Sequence, residues 1–179
     1  MNVDAKMRQK ILVPLDGSAF SHQIVSTVCS FFSPEKVELI LFEVVSPSDM
    51  PYTGGGVIDA SEMVASAISS SRGEAYRQRR AESDIRQYQR SQAILHQHEQ
   101  TLAESEAALV DAGYHVQAHA EMGEPAEQIV AYAKAIDADL IAMATHGRSG
   151  ISKLVMGSVA ERVLHDSPVP VMLLRPALK

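Results

Sequence analysis

A loop with the composition of a phosphate-binding site lies between Ala144 and Ser158. Residues 140–143 before it (Leu-Ile-Ala-Met) form a short apolar run, typical of a parallel strand buried on both faces. After it, Ser158 and Glu161 have the spacing of a capping box, which predicts a helix beginning at the serine. A loop between a buried strand and a helix N-terminus offers unpaired backbone N–H groups at the positive end of a helix dipole. This pattern predicts phosphate binding.

Residues within the loop indicate how a phosphate would be held. Gly147 and Gly157 would allow close backbone approach or a positive φ. Ser158 could offer its N–H and its hydroxyl, unless helix capping uses the hydroxyl. Arg148 and Lys153 are either cations that lean over a triphosphate or solvated loop charges.

No residue pattern in the sequence predicts catalysis or metal binding. His146 is better explained as an exposed turn residue than as an acid or base, because no Ser or Asp partner is placed beside it. His96 and His98 lie two apart on a predicted helix and cannot share a face. His115 and His119 could share a strand face, but no further ligand accompanies them. The P-loop, the dinucleotide fingerprint after the first strand and the nucleophile elbow are absent.

Strands and helices alternate along the chain and must position this loop. Alternation of this kind implies a parallel sheet with right-handed crossovers and helices on both faces. We therefore predict a single doubly wound, Rossmann-like α/β domain with an open sheet of five strands. The predicted strands are 10–15, 37–45, 114–120, 139–144 and 168–174, and the predicted helices begin near Ser18, Gly73, Pro125 and Ser158. The first of these helices places Phe20, Ile24, Val28 and Phe31 at helical spacing, and the second stops at Ala112-Gly113.

Three stretches that are far apart in sequence are predicted to meet at one edge of this sheet. They are Asp16, Val44 and the loop 144–158, each at the carboxyl end of a strand, where open α/β sheets bind ligands. The Asp16 carboxylate could accept hydrogen bonds from a ribose hydroxyl or an adenine amino group. It could equally cap the helix that begins near Ser18. The residues alone leave both roles open.

Residues 46–90 interrupt the regular alternation. They contain the loop 51–56 (Pro-Tyr-Thr-Gly-Gly-Gly) and few bulky apolar residues before Ile85. The Arg77–Arg80 cluster is flanked by acidic residues and is better explained as a solvated helix face than as a nucleic-acid site. We treat this stretch as an insertion within one domain, 1–179. It could be a lid, a partner-docking arm or a dimer contact.

Composition limits the partners of the chain. Its 179 residues are 46% hydrophobic with a net charge of −6, which suits one globular domain and argues against DNA, RNA or an anionic membrane as partner. Cys29 is the single cysteine, so no intramolecular disulfide is expected. The sequence shows no signal-peptide pattern and no bilayer-length apolar run. A soluble cytoplasmic protein is the expectation.

Both ends of the chain resemble the universal stress protein family. Residues 10–18 (Lys-Ile-Leu-Val-Pro-Leu-Asp-Gly-Ser) resemble its opening. Residues 143–150 (Met-Ala-Thr-His-Gly-Arg-Ser-Gly), 155–162 (Val-Met-Gly-Ser-Val-Ala-Glu-Arg) and 167–171 (Ser-Pro-Val-Pro-Val) resemble its C-terminal signature. The family's ATP-binding branch carries Gly, two residues, Gly, nine residues, then Gly followed by Ser or Thr. Gly147 and Gly157-Ser158 match this spacing, whereas Ala144 replaces the first glycine.

The resemblance implies a fold, a ligand and an assembly. It implies strand order 3-2-1-4-5 and a homodimer paired through the last strand, 169–174. It also implies ATP as cofactor, with or without Mg²⁺, held on the adenosine side by Pro14, Asp16 and the Val44 backbone. The rest of the nucleotide pocket would be lined by Met143, Ala144, Gly147, Gly157, Ser158 and Val159. With their neighbours Leu15, Ser18, His146 and Arg148, these residues form the predicted nucleotide-binding site.

The leading hypothesis is a cytoplasmic ATP-binding stress-response protein that changes conformation or regulatory partner with nucleotide state, rather than a dedicated catalyst. The alternative is a dimeric interaction module of the same family that binds no nucleotide. Ala144 and the insertion support the alternative, since a methyl group is harmless at negative φ but costly where glycine's range is needed. An enzyme acting on a nucleotide-linked substrate, with His146 as acid or base, ranks last.

Overall fold

The computed structural model describes residues 8–18, 21–46, 70–145 and 156–175, with side chains omitted at 70–73, 75 and 76. The chain divides into two compact units, one formed by Met1–Pro47 with His98–Lys179 and the other by Ser48–Gln97. The sheet belongs to the first unit. The strands are β1 (Gln9–Leu15), β2 (Val37–Val45), β3 (His115–Met122), β4 (Leu140–Ala144) and β5 (Val171–Leu174), and the helices are α1 (Gln23–Phe31), α2 (Ser70–Asp111), α3 (Pro125–Ala135) and α4 (Ser158–Asp166).

The five strands form one all-parallel sheet in the order β3-β2-β1-β4-β5. This confirms the predicted fold class and strand order. β1 and β2 are buried along most of their length, as expected for parallel strands whose sequences are nearly continuous apolar runs. The boundaries of β2 coincide with the predicted ones.

Helices cover both faces of the sheet. Phe42 of β2 belongs to a buried cluster with Ile129 of α3 and Val163 of α4. The next residue, Glu43, points to the opposite face, because side chains alternate along a strand, and there it contacts His98 of α2. The carboxyl edge of the sheet is therefore held between two helical layers.

The ends of α2 and α3 follow the predicted glycine and proline signals. Gly113 has φ +91, its N–H donates to the Val110 carbonyl, and the Tyr114 N–H donates to the Leu109 carbonyl. This pair of bonds is a Schellman motif, which glycine favours because it accepts a positive φ without strain. Pro125 is the first residue of α3. An N–H group at this position makes no intrahelical hydrogen bond, so proline, which lacks one, fits there without loss.

Tyr114 ties the start of β3 to the end of α1. Its hydroxyl donates to the carbonyl oxygens of Cys29 at 3.1 Å and Phe32 at 2.9 Å. Burial, followed by the neighbouring Cys29, raises the pKa of Tyr114 to about 12. These bonds satisfy carbonyl groups that the last turn of a helix cannot satisfy itself.

The predicted start of α1 is wrong. The helix begins at Gln23 rather than near Ser18, because Ser18 and Ser21 form local bonds that hold a turn instead. Phe31, predicted to lie on the apolar side, is the last residue of the helix and is 70% exposed. Phe20 lies outside the described residues.

Candidate functional site

The ladder between β1 and β4 ends before the ladder between β1 and β2. It pairs with β4 only at Ile11 and Leu12, whereas its ladder with β2 continues to Leu15. The strand order also reverses here, since β2 lies on one side of β1 and β4 on the other. The end of the β1–β4 ladder beyond Leu12, here called the β1–β4 crevice, is at the position where open α/β sheets bind ligands.

Pro14 explains why the ladder to β4 stops. The Lys10 carbonyl accepts a hydrogen bond from the Asp139 N–H at 2.8 Å, and the Lys10 N–H donates to the Asp139 carboxylate at 2.7 Å. Lys10 therefore turns its backbone polar groups to β4, and Pro14 does the same because the two positions differ by an even number of residues. Proline has no N–H to donate, so the pairing cannot continue there.

Asp16 and Ser18 form a tight turn at the end of β1. Asp16 Oδ1 accepts hydrogen bonds from the Ser18 N–H at 3.0 Å and the Ser18 hydroxyl at 2.6 Å. Gly17 between them has φ +75, a conformation that favours glycine. The helix-capping alternative for Asp16 is wrong, since α1 begins at Gln23 with His22 at its N-cap. Asp16 instead orients the turn at the mouth of the crevice.

The N-terminus of α4 lies at the end of β4. The Gly157 N–H donates to the Thr145 carbonyl at 2.7 Å, and the first intrahelical bond runs from the Glu161 N–H to the Gly157 carbonyl at 2.9 Å. The N–H groups of Ser158 and Val159 precede that bond, so the helix provides no acceptor for them. Ser158 is exposed and Val159 half-buried. These donors can meet an anion.

The capping-box prediction is wrong, and this changes the role of Ser158. Gly157 is the N-cap, and among the described residues no side-chain capping bond is made there. Ser158 is the first helical residue, one position too late to cap, so its hydroxyl does not serve the helix. Gly157 has φ −64, which any residue adopts, so a positive φ is not the reason for a glycine there.

Ala144 is accommodated without strain. It ends β4, pairs with Leu174 and is 9% exposed. Among the described non-glycine residues, only Asp137 has a positive φ. The methyl group of Ala144 therefore lies on extended backbone, where it costs no conformational energy. Met143 beside it is equally buried, at 5% exposed.

A buried carboxylate, absent from the sequence-based site, lies close to this edge. The Glu43 side chain is 4% exposed, and its Oε1 lies 2.8 Å from Nδ1 of His98. A Cβ added to Gly17 would lie 3.5 Å from the same oxygen. The signal for this residue was a glutamate near the end of the otherwise apolar strand 39–45. The Glu43 carboxylate therefore lies next to Gly17 in the Asp16–Ser18 turn.

Val44 lies on the opposite face of β2 from Glu43. The Val45 carbonyl accepts a hydrogen bond from the Gly123 N–H, on the β3 side. The backbone polar groups of Val44 therefore point to the β1 side, past the last β1–β2 pair at Leu15. The Val44 carbonyl is thus directed past the end of β1, whereas the side chain of Leu15 is buried in the core.

The structure brings the predicted residues of three strands and one helix to the same edge. These are Pro14, Leu15, Asp16, Ser18, Val44, Met143, Ala144, Gly157, Ser158 and Val159. His146, Gly147, Arg148 and Lys153 lie outside the described residues. Within the described ranges, no cluster of three or more His, Cys, Asp or Glu side chains could hold a metal ion. The helices described here include none that is long and apolar enough to cross a membrane.

Comparison with known proteins identifies the family. The model of the universal stress protein family matches residues 7–175. The chain belongs to the universal stress protein family. Universal stress protein MJ0531 of Methanocaldococcus jannaschii is 44% identical over 62 residues, which are 34% of this chain and 36% of that protein. Universal stress protein MJ0577 of the same organism is 34% identical over 67 residues, or 37% and 41% of the two chains. The match thus spans well under half of these curated relatives.

Solved structures of the family share the fold over nearly the whole chain. The structure of MJ0577 superposes with a TM-score of 0.63 at 22% identity and covers 97% of this chain and 99% of that one. A universal stress protein from Archaeoglobus fulgidus, solved in complex with dAMP, superposes with a TM-score of 0.53 at 15% identity. It covers 93% of this chain and 98% of its own. At these identities the likeness shows the fold alone.

Proposed function

We propose that this universal stress protein binds an adenine nucleotide, with ATP as the expected ligand, in the β1–β4 crevice. The observation that carries the proposal is the meeting of that crevice with the N-terminus of α4 at the carboxyl edge of the sheet. A relative with the same fold is solved with dAMP, which supports this choice of ligand class.

The charges at the two ends of the crevice orient the ligand. The β4 side carries the N-terminus of α4, whose first N–H groups have no acceptor within the helix and whose dipole favours a phosphate. The β1–β2 side carries the Asp16 and Glu43 carboxylates, whose charges repel phosphate. Glu43 is buried against His98, whereas Asp16 is half-buried and is the carboxylate proposed to accept hydrogen bonds from hydroxyl or amino groups. A nucleotide therefore places its phosphates at Ser158 and its nucleoside beside Val44.

The proposed role is regulatory. Nucleotide binding would link the end of β1, the end of β4 and the start of α4, so occupancy would favour one arrangement of these segments over another. We extend the proposal to a cytoplasmic homodimer paired through β5. That strand is at the sheet edge and all four of its residues are half-buried, as expected for a strand that can accept a partner. A regulatory protein partner and bound Mg²⁺ are further parts of this proposal.

A charge substitution at the start of α4 tests the site. In Ser158→Asp, the added carboxylate favours the helix dipole, so the protein without ligand keeps or gains stability. The same carboxylate repels phosphate. Two unit charges 4 Å apart in water interact by about 1 kcal/mol, so we expect ATP affinity to fall by about fivefold or more. Isothermal titration calorimetry with ATP and AMP on the full chain measures the effect.

Ser33→Asp is the matched control. Ser33 is exposed and precedes β2, so it lies at the opposite edge of the sheet from the strand carboxyl ends. It receives the same added charge without approaching the crevice, and ATP affinity should stay within about twofold of wild type. If wild type binds neither nucleotide, the proposed function fails and the nucleotide-free interaction module takes its place. Equal losses in both variants would show that α4 is not the phosphate site.

A further inference from the structure

The contact between Glu43 and His98 joins helix α2 to the end of β1. Glu43 Oε1 lies 2.8 Å from His98 Nδ1, and the Glu43 side chain is 4% exposed. A Cβ added to Gly17 would lie 3.5 Å from the same oxygen, and Gly17 is the middle residue of the turn between Asp16 and Ser18. One carboxylate oxygen therefore contacts α2 and also lies next to the turn that ends β1.

Stability alone does not account for a buried charge at position 43. The neighbouring side chains 39–42 of β2 are apolar and buried, and so is Leu15, the register partner of Glu43 on β1. Replacing a buried charged pair by apolar side chains of similar volume is often neutral or stabilising. An apolar side chain at 43 would fill the space, but only a hydrogen-bonded group such as Glu43 has its direction fixed by His98. The pair is suited to holding one geometry at the end of β1.

The turn beside Glu43 has a specific geometry to keep. Asp16 Oδ1 accepts hydrogen bonds from the Ser18 N–H at 3.0 Å and from the Ser18 hydroxyl at 2.6 Å, while Gly17 has φ +75. These bonds are local to the turn, so they fix its shape but not its orientation on the sheet. Glu43 packs beside Gly17 from the neighbouring strand, and its like charge disfavours rotation of the Asp16 carboxylate toward it.

We propose that Glu43 is a positioning residue of the nucleotide site and that His98 holds it in place. The inference rests on the proposed function and names two residues, outside the proposed ligand contacts, on which the nucleoside end depends. With His98 donating, the Glu43 carboxylate keeps the Asp16–Ser18 turn in the orientation that receives the nucleoside. The phosphate end is held separately, by the hydrogen bond from the Gly157 N–H to the Thr145 carbonyl, and should not respond to this pair.

Amide hydrogen exchange, followed by NMR on the full chain without ligand, tests the positioning step. In His98→Ala the Ser18 amide should exchange about threefold or more faster than in wild type, because its bond in the turn opens more often. The Glu161 amide closes the first turn of α4 and should keep its wild-type rate. His98→Asn should restore slow exchange at Ser18, since an asparagine amide nitrogen can take the place of Nδ1 and donate to Glu43.

Calorimetric titration with ATP on the same proteins tests the consequence for binding. His98→Ala should bind ATP about threefold to tenfold more weakly, the range expected when one hydrogen bond to the ligand is lost. His98→Asn should stay within about twofold of wild type, because it keeps the donor.

His96→Ala is the matched control. His96 is exposed on α2, two residues before His98, and side chains two apart do not share a helix face. This variant should match wild type in exchange at Ser18 and in ATP affinity. Melting temperatures confirm that every variant is folded before the rates and affinities are compared.

The outcomes separate this inference from the function beneath it. A wild-type protein that binds ATP, together with unchanged ATP affinity in His98→Ala, overturns the positioning role and leaves the proposed function standing. Equal acceleration of the Ser18 and Glu161 amides overturns it as well, because the effect is then a general loss of stability. If wild type binds no ATP, the proposed function fails and the role in nucleotide binding fails with it, whatever the exchange at Ser18 shows.

Discussion

Removing the partner of a buried carboxylate should destabilise this protein measurably. The Glu43 side chain is 4% exposed and its Oε1 lies 2.8 Å from His98 Nδ1, which donates in the form that carries a proton there. In His98→Ala the carboxylate stays buried without this donor. Breaking a buried pair costs about 3–5 kcal/mol, and a lost bond to a charged group about 1.5–3 kcal/mol. Because His98 is 27% exposed and water can enter the gap, we expect about 2 kcal/mol.

Removing the charge as well should restore part of that loss. In Glu43→Gln the buried group is a neutral amide of nearly the same shape, which needs less compensation than a carboxylate. This variant alone should lose about 1 kcal/mol or less, because the amide keeps a hydrogen bond to His98. Adding Glu43→Gln to His98→Ala should recover about 1 kcal/mol. The two substitutions are therefore coupled, as expected for groups in direct contact.

Urea unfolding of wild type, both single variants and the double variant measures these four free energies. For a chain of this size, a loss of 2 kcal/mol lowers the melting temperature by about 4–8 °C. His165→Ala is the control, since His165 also lies close to a carboxylate, 2.6 Å from Asp166, but is 88% exposed. We expect no measurable change there. The reasoning is refuted if His98→Ala is as stable as His165→Ala, or if adding Glu43→Gln to His98→Ala restores no stability. In either case the buried charge of Glu43 is not the reason that its contact with His98 stabilises the fold.

Three further predictions concern single positions. Tyr114→Phe should lose about 1–2 kcal/mol at neutral pH. Because folding raises the pKa of Tyr114 from 10.0 to about 12, wild type loses stability as the pH rises from 10 to 12. The variant has no hydroxyl group at this position, so the difference in the free energy of unfolding between the two proteins should narrow over this pH range. Ala144→Gly should leave ATP affinity within about twofold in calorimetry, and any gain larger than that would show that the methyl group obstructs the ligand. Gly17→Ala should lose about 1–2 kcal/mol in urea unfolding, because its φ of +75 strains a side chain although a Cβ would fit 3.5 Å from Glu43.

Local signals predicted most of the fold. β2 has the predicted boundaries, 37–45, because an apolar run ended by turn-forming residues needs no distant information. α2 stops where Gly113 predicted, and α3 starts at Pro125, because backbone conformation at these residues is limited by their own chemistry. The start of α4 at Ser158 is confirmed, although Gly157 rather than Ser158 is its N-cap. The starts of α1 and β5 were predicted too early, near Ser18 and at Pro168 rather than at Gln23 and Val171.

The carboxyl edge of the sheet was predicted in outline only. The sequence located Asp16, Val44 and the residues around Ala144 at strand ends, and the parallel sheet brings strand ends together. It could not tell whether Asp16 caps a helix or whether position 144 needs a positive φ. Those answers depend on hydrogen bonds and backbone angles that form only after the chain has folded.

The sequence by itself determined the alternation of strands and helices, the boundaries of β2 and the presence of a helix N-terminus after β4. Each of these follows from residues close together in the chain. Only the tertiary structure decided that Glu43 meets His98, 55 residues away, and that Val44 is paired with Glu121. Such contacts depend on strand register and helix packing, which are properties of the whole sheet.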